Sequence, residues 1–349
     1  IAKNINATVI YETDDVSLSI FRNFPNLTLG VDNLSIIGQD SFKTDTLAQI
    51  PAFRMGLNLM SVISGDELEV NSITLDEPII KLIVLKSGKA NWDIFIPDTA
   101  AADTDTTASD FSMAIKQWKI DNGTLFYDDL SIPFGLAAYN VNHTGSGDFA
   151  KDVFDMVSET TADRLTMTYD GANYIENATL AADVTMAMDL NKMLYTFKEN
   201  NIRINEFPFK FDGTILMPDE AIDFDLTFSA TETDFRNVLS VVPGMYSEEF
   251  KDIKTEGKLS FDGFFKGRMI DTLMPGYGVN LKVIDGMFKY PDLPQAARNV
   301  NADMSVVSPD GTPQNTSIDI RKFHMDLGKN PVDARVSIKG LEVMQVDGN

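Results

Sequence analysis

Few side chains in this sequence have types and spacings that could do chemistry. His143 and His324 are its two histidines. They are far apart in the chain, and neither belongs to a His-Glu-x-x-His or other metal-ligand spacing. Both read as ordinary strand or loop residues. The carboxylate pairs Asp128/Asp129 and Asp223/Asp225 are the right residue types for glycoside hydrolysis, one acid and one base or nucleophile. As alternating or adjacent residues in polar stretches they read more simply as a solvated strand face or a loop. Trp92 and Trp118 could stack on sugar rings, although core anchoring is the plainer role for an aromatic of that size. Gly276-Tyr277-Gly278 lacks the third glycine and the following helix of a dinucleotide site. No Gly-x-Ser-x-Gly elbow and no phosphate-binding loop occurs. The sequence therefore argues for a protein that is not an enzyme and needs no cofactor.

Composition narrows the partners. With 29 basic and 52 acidic residues the formal charge is -23. Phosphate backbones reward Lys and Arg, so nucleic acid is not a partner. The same balance argues against a polybasic helix lying on a membrane. The chain has no cysteine, which removes disulfides, thiolate metal sites and cysteine nucleophiles. No stretch has the length and apolarity of a transmembrane helix, and no signal peptide is visible. The chain reads as an excised piece of a longer protein.

Along the chain as a whole, alternation dominates. Val184, Met186 and Met188 alternate with Thr185 and Ala187. Phe224, Leu226 and Phe228 alternate with Asp225 and Thr227. Val336 and Ile338 flank Ser337. A period of two with one apolar and one polar face is the mark of an antiparallel strand, dry on one side and wet on the other. The apolar phase slips between Ile204 and Phe207 and again between Ile320 and Phe323, where a turn or bulge is expected. Short helices are expected near Leu57 to Ile63, from Thr233 or Asp234 to Leu239, from Ser247 to about Asp252, and as one turn at Pro294 to Asn299. Gly88 to Trp92 reads as a turn followed by an aromatic.

One pattern repeats. Ile120-Asp121-Asn122-Gly123-Thr124-Leu125-Phe126-Tyr127-Asp128-Asp129-Leu130 has a later twin in Val283-Ile284-Asp285-Gly286-Met287-Phe288-Lys289-Tyr290-Pro291-Asp292-Leu293. Asn-Gly and Asp-Gly are the residues of a tight hairpin, which needs positive φ, so Gly123 and Gly286 are expected in that conformation in a hairpin or bulge. Partial matches recur at Tyr169-Asp170-Gly171, Phe211-Asp212-Gly213 and Phe261-Asp262-Gly263. The fold class expected is mainly β: an elongated, curled, mostly antiparallel sheet of repeated hairpins with a few short helices. Three regions are expected: residues 1–96 as an N-terminal β module, 97–110 as an acidic Ala/Thr/Asp linker, and 111–349 as a repeated, groove-like sheet. The aspartates of the linker lack the glycine and closing Glu of a calcium loop.

These pieces, in this order, resemble the AsmA family of Gram-negative bacteria. The resemblance is carried by Phe21-Arg22-Asn23-Phe24-Pro25-Asn26-Leu27, Ser72-Ile73-Thr74-Leu75-Asp76-Glu77-Pro78, Gly88-Lys89-Ala90-Asn91-Trp92, the strand Ile120 to Asp129, and Gly286 to Pro294. It implies a periplasmic protein, held in the inner membrane by an N-terminal helix that precedes Ile1, and akin to bridge-like lipid-transfer proteins. It implies phospholipid or another acyl lipid as partner, a role in outer-membrane assembly or lipid homeostasis, and no catalytic residues. The candidate groove residues are Val184, Met186, Met188, Phe224, Leu226, Phe228, Val336 and Ile338. A sheet with one apolar face must cover it, with a second layer or with a ligand. A curled trough filled by acyl chains and a closed β-sandwich both satisfy that demand. A structural or adhesive β scaffold that binds protein or glycan is the alternative function.

Overall fold

The computed structural model describes residues 6–23, 26–64, 69–94, 115–218, 221–241, 253–270, 273–291, 294–342 and 344–348. The proposed linker at 97–110 and the helix at Ser247 to Asp252 lie outside them. The described residues form nineteen strands and two short α-helices. The fold is thus mostly antiparallel β-sheet built from successive hairpins, as the alternation requires. The chain divides into two compact units, Ile1–Ala181 and Ala182–Asn349.

The first unit begins with β1 (Ala7–Ile10), β2 (Val16–Asn23) and β3 (Asn26–Gly38). β1 and β2 pair with opposite ends of β3. β4 (Thr46–Asn58) pairs along the other edge of β3 and runs into helix α1 (Leu59–Ser64). β5 (Val70–Asp76) and β6 (Ile79–Val84) both pair with β4. β7 (Gln117–Asp129) then lies parallel to both of them. Parallel neighbours need a long return connection, and the stretch between Val84 and Gln117 is long enough to supply one. β8 (Phe134–Ser146), β9 (Val153–Tyr169) and β10 (Ala172–Asp189) continue as antiparallel hairpins. The β9–β10 turn carries Asp170 and Gly171 at φ 49° and 75°, the paired positive values of a two-residue hairpin. At Gly88 (φ 79°) the backbone turns, closed by a bond from Leu85 N–H to the Lys89 carbonyl at 2.9 Å.

The second unit, which takes in the end of β10 from Ala182 to Asp189, is a meander. Its further strands are β11 (Leu194–Ile204), β12 (Phe207–Leu216), β13 (Ile222–Asp234), β14 (Lys254–Met269) and β15 (Gly276–Lys289). They continue as β16 (Ala297–Ser308), β17 (Ser317–Leu327), β18 (Asn330–Lys339) and β19 (Gln345–Gly348). Each pairs antiparallel with the next. Helix α2 (Phe235–Leu239) follows β13, with Asp234 at its N-cap position. The helical turn expected at Pro294 to Asn299 is absent, because β16 already begins at Ala297. Both phase slips appear where the sequence places them. One is the turn at Asn205 (φ 51°); the other is a register shift between Ile320 and Phe323.

The twin stretches correct the sequence reading. Gly123 and Gly286 are not in tight turns and not at positive φ; each sits inside a long strand, β7 or β15. The residue before each takes the left-handed conformation instead, Asn122 at φ 53° and Asp285 at φ 50°. The register breaks there on the following strand, between Ile120 and Thr124 and between Val283 and Phe288. These are β-bulges, where one extra residue bends the strand and increases its twist. Asn and Asp tolerate that conformation better than other side-chain-bearing residues.

A matching polar circuit holds each bulge. Asn122 N–H donates to Asn142 Oδ1 (3.1 Å), Asn142 Nδ2 to the Asn140 carbonyl (3.3 Å), and Asn140 Nδ2 to Asp163 Oδ2 (2.5 Å). In the second unit Asp285 N–H donates to Asn301 Oδ1 (3.4 Å), Asn301 Nδ2 to the Asn299 carbonyl (2.9 Å), and Asn299 Nδ2 to Asp326 Oδ2 (2.6 Å). Asn140 and Asn299 are themselves left-handed, at φ 52°. A related circuit surrounds Glu199, whose N–H donates to Asp212 and whose carbonyl accepts from Asn201.

Candidate functional site

In an antiparallel pair, residues directly opposite share a face. The second unit's register therefore assembles its apolar face row by row. One row runs Phe211, Phe228, Gly263, Val279, Val306, Ile318, Ile338 from β12 to β18. The next runs Ala230, Phe261, Leu281, Met304, Ile320, Val336. Leu226 stands in a row with Phe265 and Tyr277, and Phe224 beside Ile215. The alternation that predicted single strands has produced one continuous surface.

Aromatic rings tile it. Phe224 meets Phe265 edge-on at 5.0 Å, Phe228 lies 6.1 Å from Phe261, and Phe207 stacks on Phe261 at 5.7 Å. Gly263 leaves room for the Phe228 ring: a Cβ there would lie 2.4 Å from it. This is a close approach that only glycine permits.

Cover is uneven along this face. Helix α2 sets Phe235 and Val238 over Leu259, Val283 and Ala302, and that cluster is buried, Leu259 to 3% exposure. Away from the helix the same face stays half-open. Of the sequence-nominated residues, Val184, Met186, Phe224, Leu226, Phe228, Val336 and Ile338 are all partly exposed, and Met188 alone is buried. The register brings Phe224, Leu226, Phe228, Val336 and Ile338 onto one face. Val184, Met186 and Met188 lie on β10, whose Thr185 N–H donates to Asn200 Oδ1 at 2.6 Å.

Asn200 was not legible as a site residue. It is opposite Phe211, hence on the apolar face, and is 0% exposed. Its Nδ2 has no hydrogen-bond partner among the described residues. Asn140-Val141-Asn142 and Asn299-Val300-Asn301 carry a buried valine at the corresponding place, and Glu199-Asn200-Asn201 carries this amide instead. Only comparison of the three bulges singles it out.

The opposite face is polar and tied together. Arg268 forms two bonds to Asp223, at 2.6 and 2.7 Å, and Lys266 one to Asp225 at 2.7 Å. The Arg268 hydrogen bond holds the Asp223 carboxyl below its ordinary range. Both carboxylates thus face cations, and Asp223 is a poor proton donor, the opposite of what a glycosidase acid requires. Asp128 and Asp129 are adjacent in one strand and point to opposite faces. Asp129 accepts from Ser131 N–H (2.9 Å), Ser131 Oγ (2.5 Å) and Tyr127 OH (3.2 Å), which caps the β7–β8 turn. The Ser131 hydroxyl is the main cause of its lowered pKa.

Both histidines stand in strands. His143 Nε2 accepts from Trp118 Nε1 (2.8 Å) and its Nδ1 is 2.8 Å from Thr160 Oγ1. Since the indole can only donate, Nε2 is unprotonated and Nδ1 carries the proton of a neutral ring. Burial lowers the His143 pKa in the same sense. His324 sits 2.9 Å from Asp333. Trp118 lies across Gly145 and meets Phe149 edge-on at 5.5 Å, a packing role. Trp92 leans on Tyr127 at 6.1 Å and remains partly exposed. Among the described residues no three His, Cys, Asp or Glu side chains are grouped to hold a metal ion.

The described residues thus form a two-faced antiparallel sheet, with an apolar face that they roof only in part and a polar face tied by ion pairs. The chain belongs to the AsmA family, whose model matches residues 1–240. Members of that family are non-enzymatic, are associated with lipid and membrane processes, and are typically periplasmic or associated with the outer membrane. No curated protein matches the chain. No helix among the described residues is long and apolar enough to cross a membrane.

Proposed function

We propose that this protein binds acyl lipid on the apolar face of its second unit and passes it on within the periplasm, without catalysing a reaction. One observation carries this reading. The face is continuous in register from β12 to β18 yet, among the described residues, half-open over most of the rows that α2 does not cover. Apolar surface of that extent marks a binding site in a soluble protein. Acyl chains have no polar groups to satisfy, so a face of Phe, Leu, Ile, Val and Met suits them without further design. Val184, Met186, Met188, Phe224, Leu226, Phe228, Val336 and Ile338 are the proposed lining, with Met supplying side chains that adapt to irregular acyl surfaces. A role in outer-membrane assembly or lipid homeostasis, from an inner-membrane anchor, belongs to the same reading.

The test is lipid extraction and native mass spectrometry of the purified protein. Masses of bound phospholipid, lost on delipidation and restored by adding lipid, are the expected result. A protein that carries no lipid and takes none up belongs instead with structural or adhesive scaffolds.

A further inference from the structure

We infer that one rim of the second unit's sheet is a membrane-contact surface, made of hairpin loops that present apolar tips to a zwitterionic lipid bilayer. The choice of a bilayer as occupant rests on the lipid reading above. Alternate hairpins of a meander turn at the same edge of the sheet. On this edge the β10–β11 loop exposes Met193, the β12–β13 loop Met217, the β14–β15 loop Leu273 and Met274, and the β18–β19 segment Leu341 and Met344. Leu273 and Met274 are each 51% exposed and Met344 is 64% exposed.

These loops are knitted together. Met217 N–H donates to the Met193 carbonyl at 3.0 Å, and Leu341 N–H to the Pro313 carbonyl at 2.8 Å. Gly311, at φ 73°, packs so closely on the β14–β15 loop that a Cβ would lie 2.6 Å from the Pro275 carbonyl oxygen. These bonds and this close approach tie neighbouring loops of the rim to one another.

Their arrangement selects the occupant. A stable protein interface needs about 800 Å² of contiguous surface per partner. Here the tips are spaced along separate loops with polar residues between them, such as the ion-paired Asp189 and Lys192. A fluid bilayer accepts separate anchors of this kind, and unbranched methionines adapt to it. A chain of net charge -23 gains nothing from anionic headgroups, so the fit is to zwitterionic lipid.

The experiment uses the whole protein and sedimentation with vesicles of phosphatidylethanolamine and phosphatidylcholine. The parent should sediment with them, and less so when phosphatidylglycerol is added. Leu273→Ser with Met274→Ser should weaken partitioning about tenfold or more, from the apolar area removed. Because the chain has no cysteine, Met274→Cys and Leu327→Cys each give a single labelling site, the second on the opposite rim. An environment-sensitive dye should shift to the blue on vesicle addition at position 274 and not at 327. A parent that stays in the supernatant, a double variant that partitions like the parent, or dyes that respond alike at both positions would overturn the inference. Vesicle binding by a protein without extractable lipid would leave the rim standing and remove the groove; bound lipid without vesicle binding would do the reverse.

Discussion

Placing one charge at two depths of the same apolar face separates a closed core from an open one. Leu259 is 3% exposed beneath Phe235 and Val238 of α2. Val336 is on the same side of the sheet, one row over, and partly exposed. At Leu259→Asp the carboxylate has no cation and no water, and an uncompensated buried charge costs about 3–5 kcal/mol. At a rate of about 2–4 °C per kcal/mol for a unit of this size, melting falls by roughly 10 °C or the unit fails to fold. At Val336→Asp water reaches the charge, and the loss is only part of one apolar side chain, about 1 kcal/mol and a few degrees. Calorimetry and circular dichroism measure both. Phospholipid retained through purification is then quantified for Val336→Asp, where it should drop although the fold survives. Equal destabilisation by the two variants would mean the face is closed along its whole width. Unchanged lipid content in a folded Val336→Asp protein would refute the lining.

Gly286→Val should destabilise by about 1–3 kcal/mol through crowding, since its Cβ would lie 3.0 Å from Val283 Cγ1 and 3.2 Å from the Val300 carbonyl oxygen. Gly123→Val should do the same against Ile120 Cγ2 at 2.7 Å. Asp285→Gly should be neutral or stabilising in urea melts, because the left-handed strain is at Asp285 and not at its glycine neighbour. His143 gives a pH signature. Its folded pKa is lowered by burial, so the unfolded state takes up the proton first. The stability its neutral form contributes is complete above the unfolded value of about 6.5 and declines as pH falls below it. Urea midpoints should therefore drop between pH 7 and pH 5, ahead of most carboxylate titration, and His143→Gln should flatten that slope.

The strands were legible because period-two alternation is a local signal that survives into the sheet. That signal set Phe224, Leu226 and Phe228 on one face of their strand and Val336 and Ile338 on one face of theirs; that the two sets lie on the same side of the sheet is read from the register alone. At Asn122-Gly123 and Asp285-Gly286 a bulge is present, one of the two alternatives expected, and the positive φ falls on the residue before the glycine. A left-handed residue fits both a tight turn and a bulge, and what decides is whether the next strand keeps pairing beyond it. Here β8 and β16 do, through Asn140-Val141-Asn142 and Asn299-Val300-Asn301. Those Asn-x-Asn triplets were the available signal. The parallel placement of β7 against β5 and β6 left no mark in the alternation, because facing and pairing direction are independent properties of a strand. Asn200 was invisible alone, since an asparagine in a strand reads as solvated until its repeat partners prove to be buried valines.

The two faces divide the work of the second unit. A sheet in an ordinary two-layer domain is held mainly by burying its apolar side. Among the described residues that side is buried chiefly near α2 and stays half-open over much of the rest, so part of the holding comes from elsewhere. The ladders supply part. The polar face supplies more, through cross-strand pairs such as Asp223 with Arg268, Asp225 with Lys266 and Asp319 with Ser337. Exposed pairs of this kind are each worth less than about 1 kcal/mol, so they can keep register but do not replace a core. The bulges act differently. By bending strands at Asp285 and Asn299 they increase the twist of adjacent strands at the level of Val283, Val300 and Ala302, the most buried part of the face. The sheet is thus pinned at one level by bulge and helix and left open at the next, and a ligand that fills the open rows would add to the unit's stability in proportion to its occupancy.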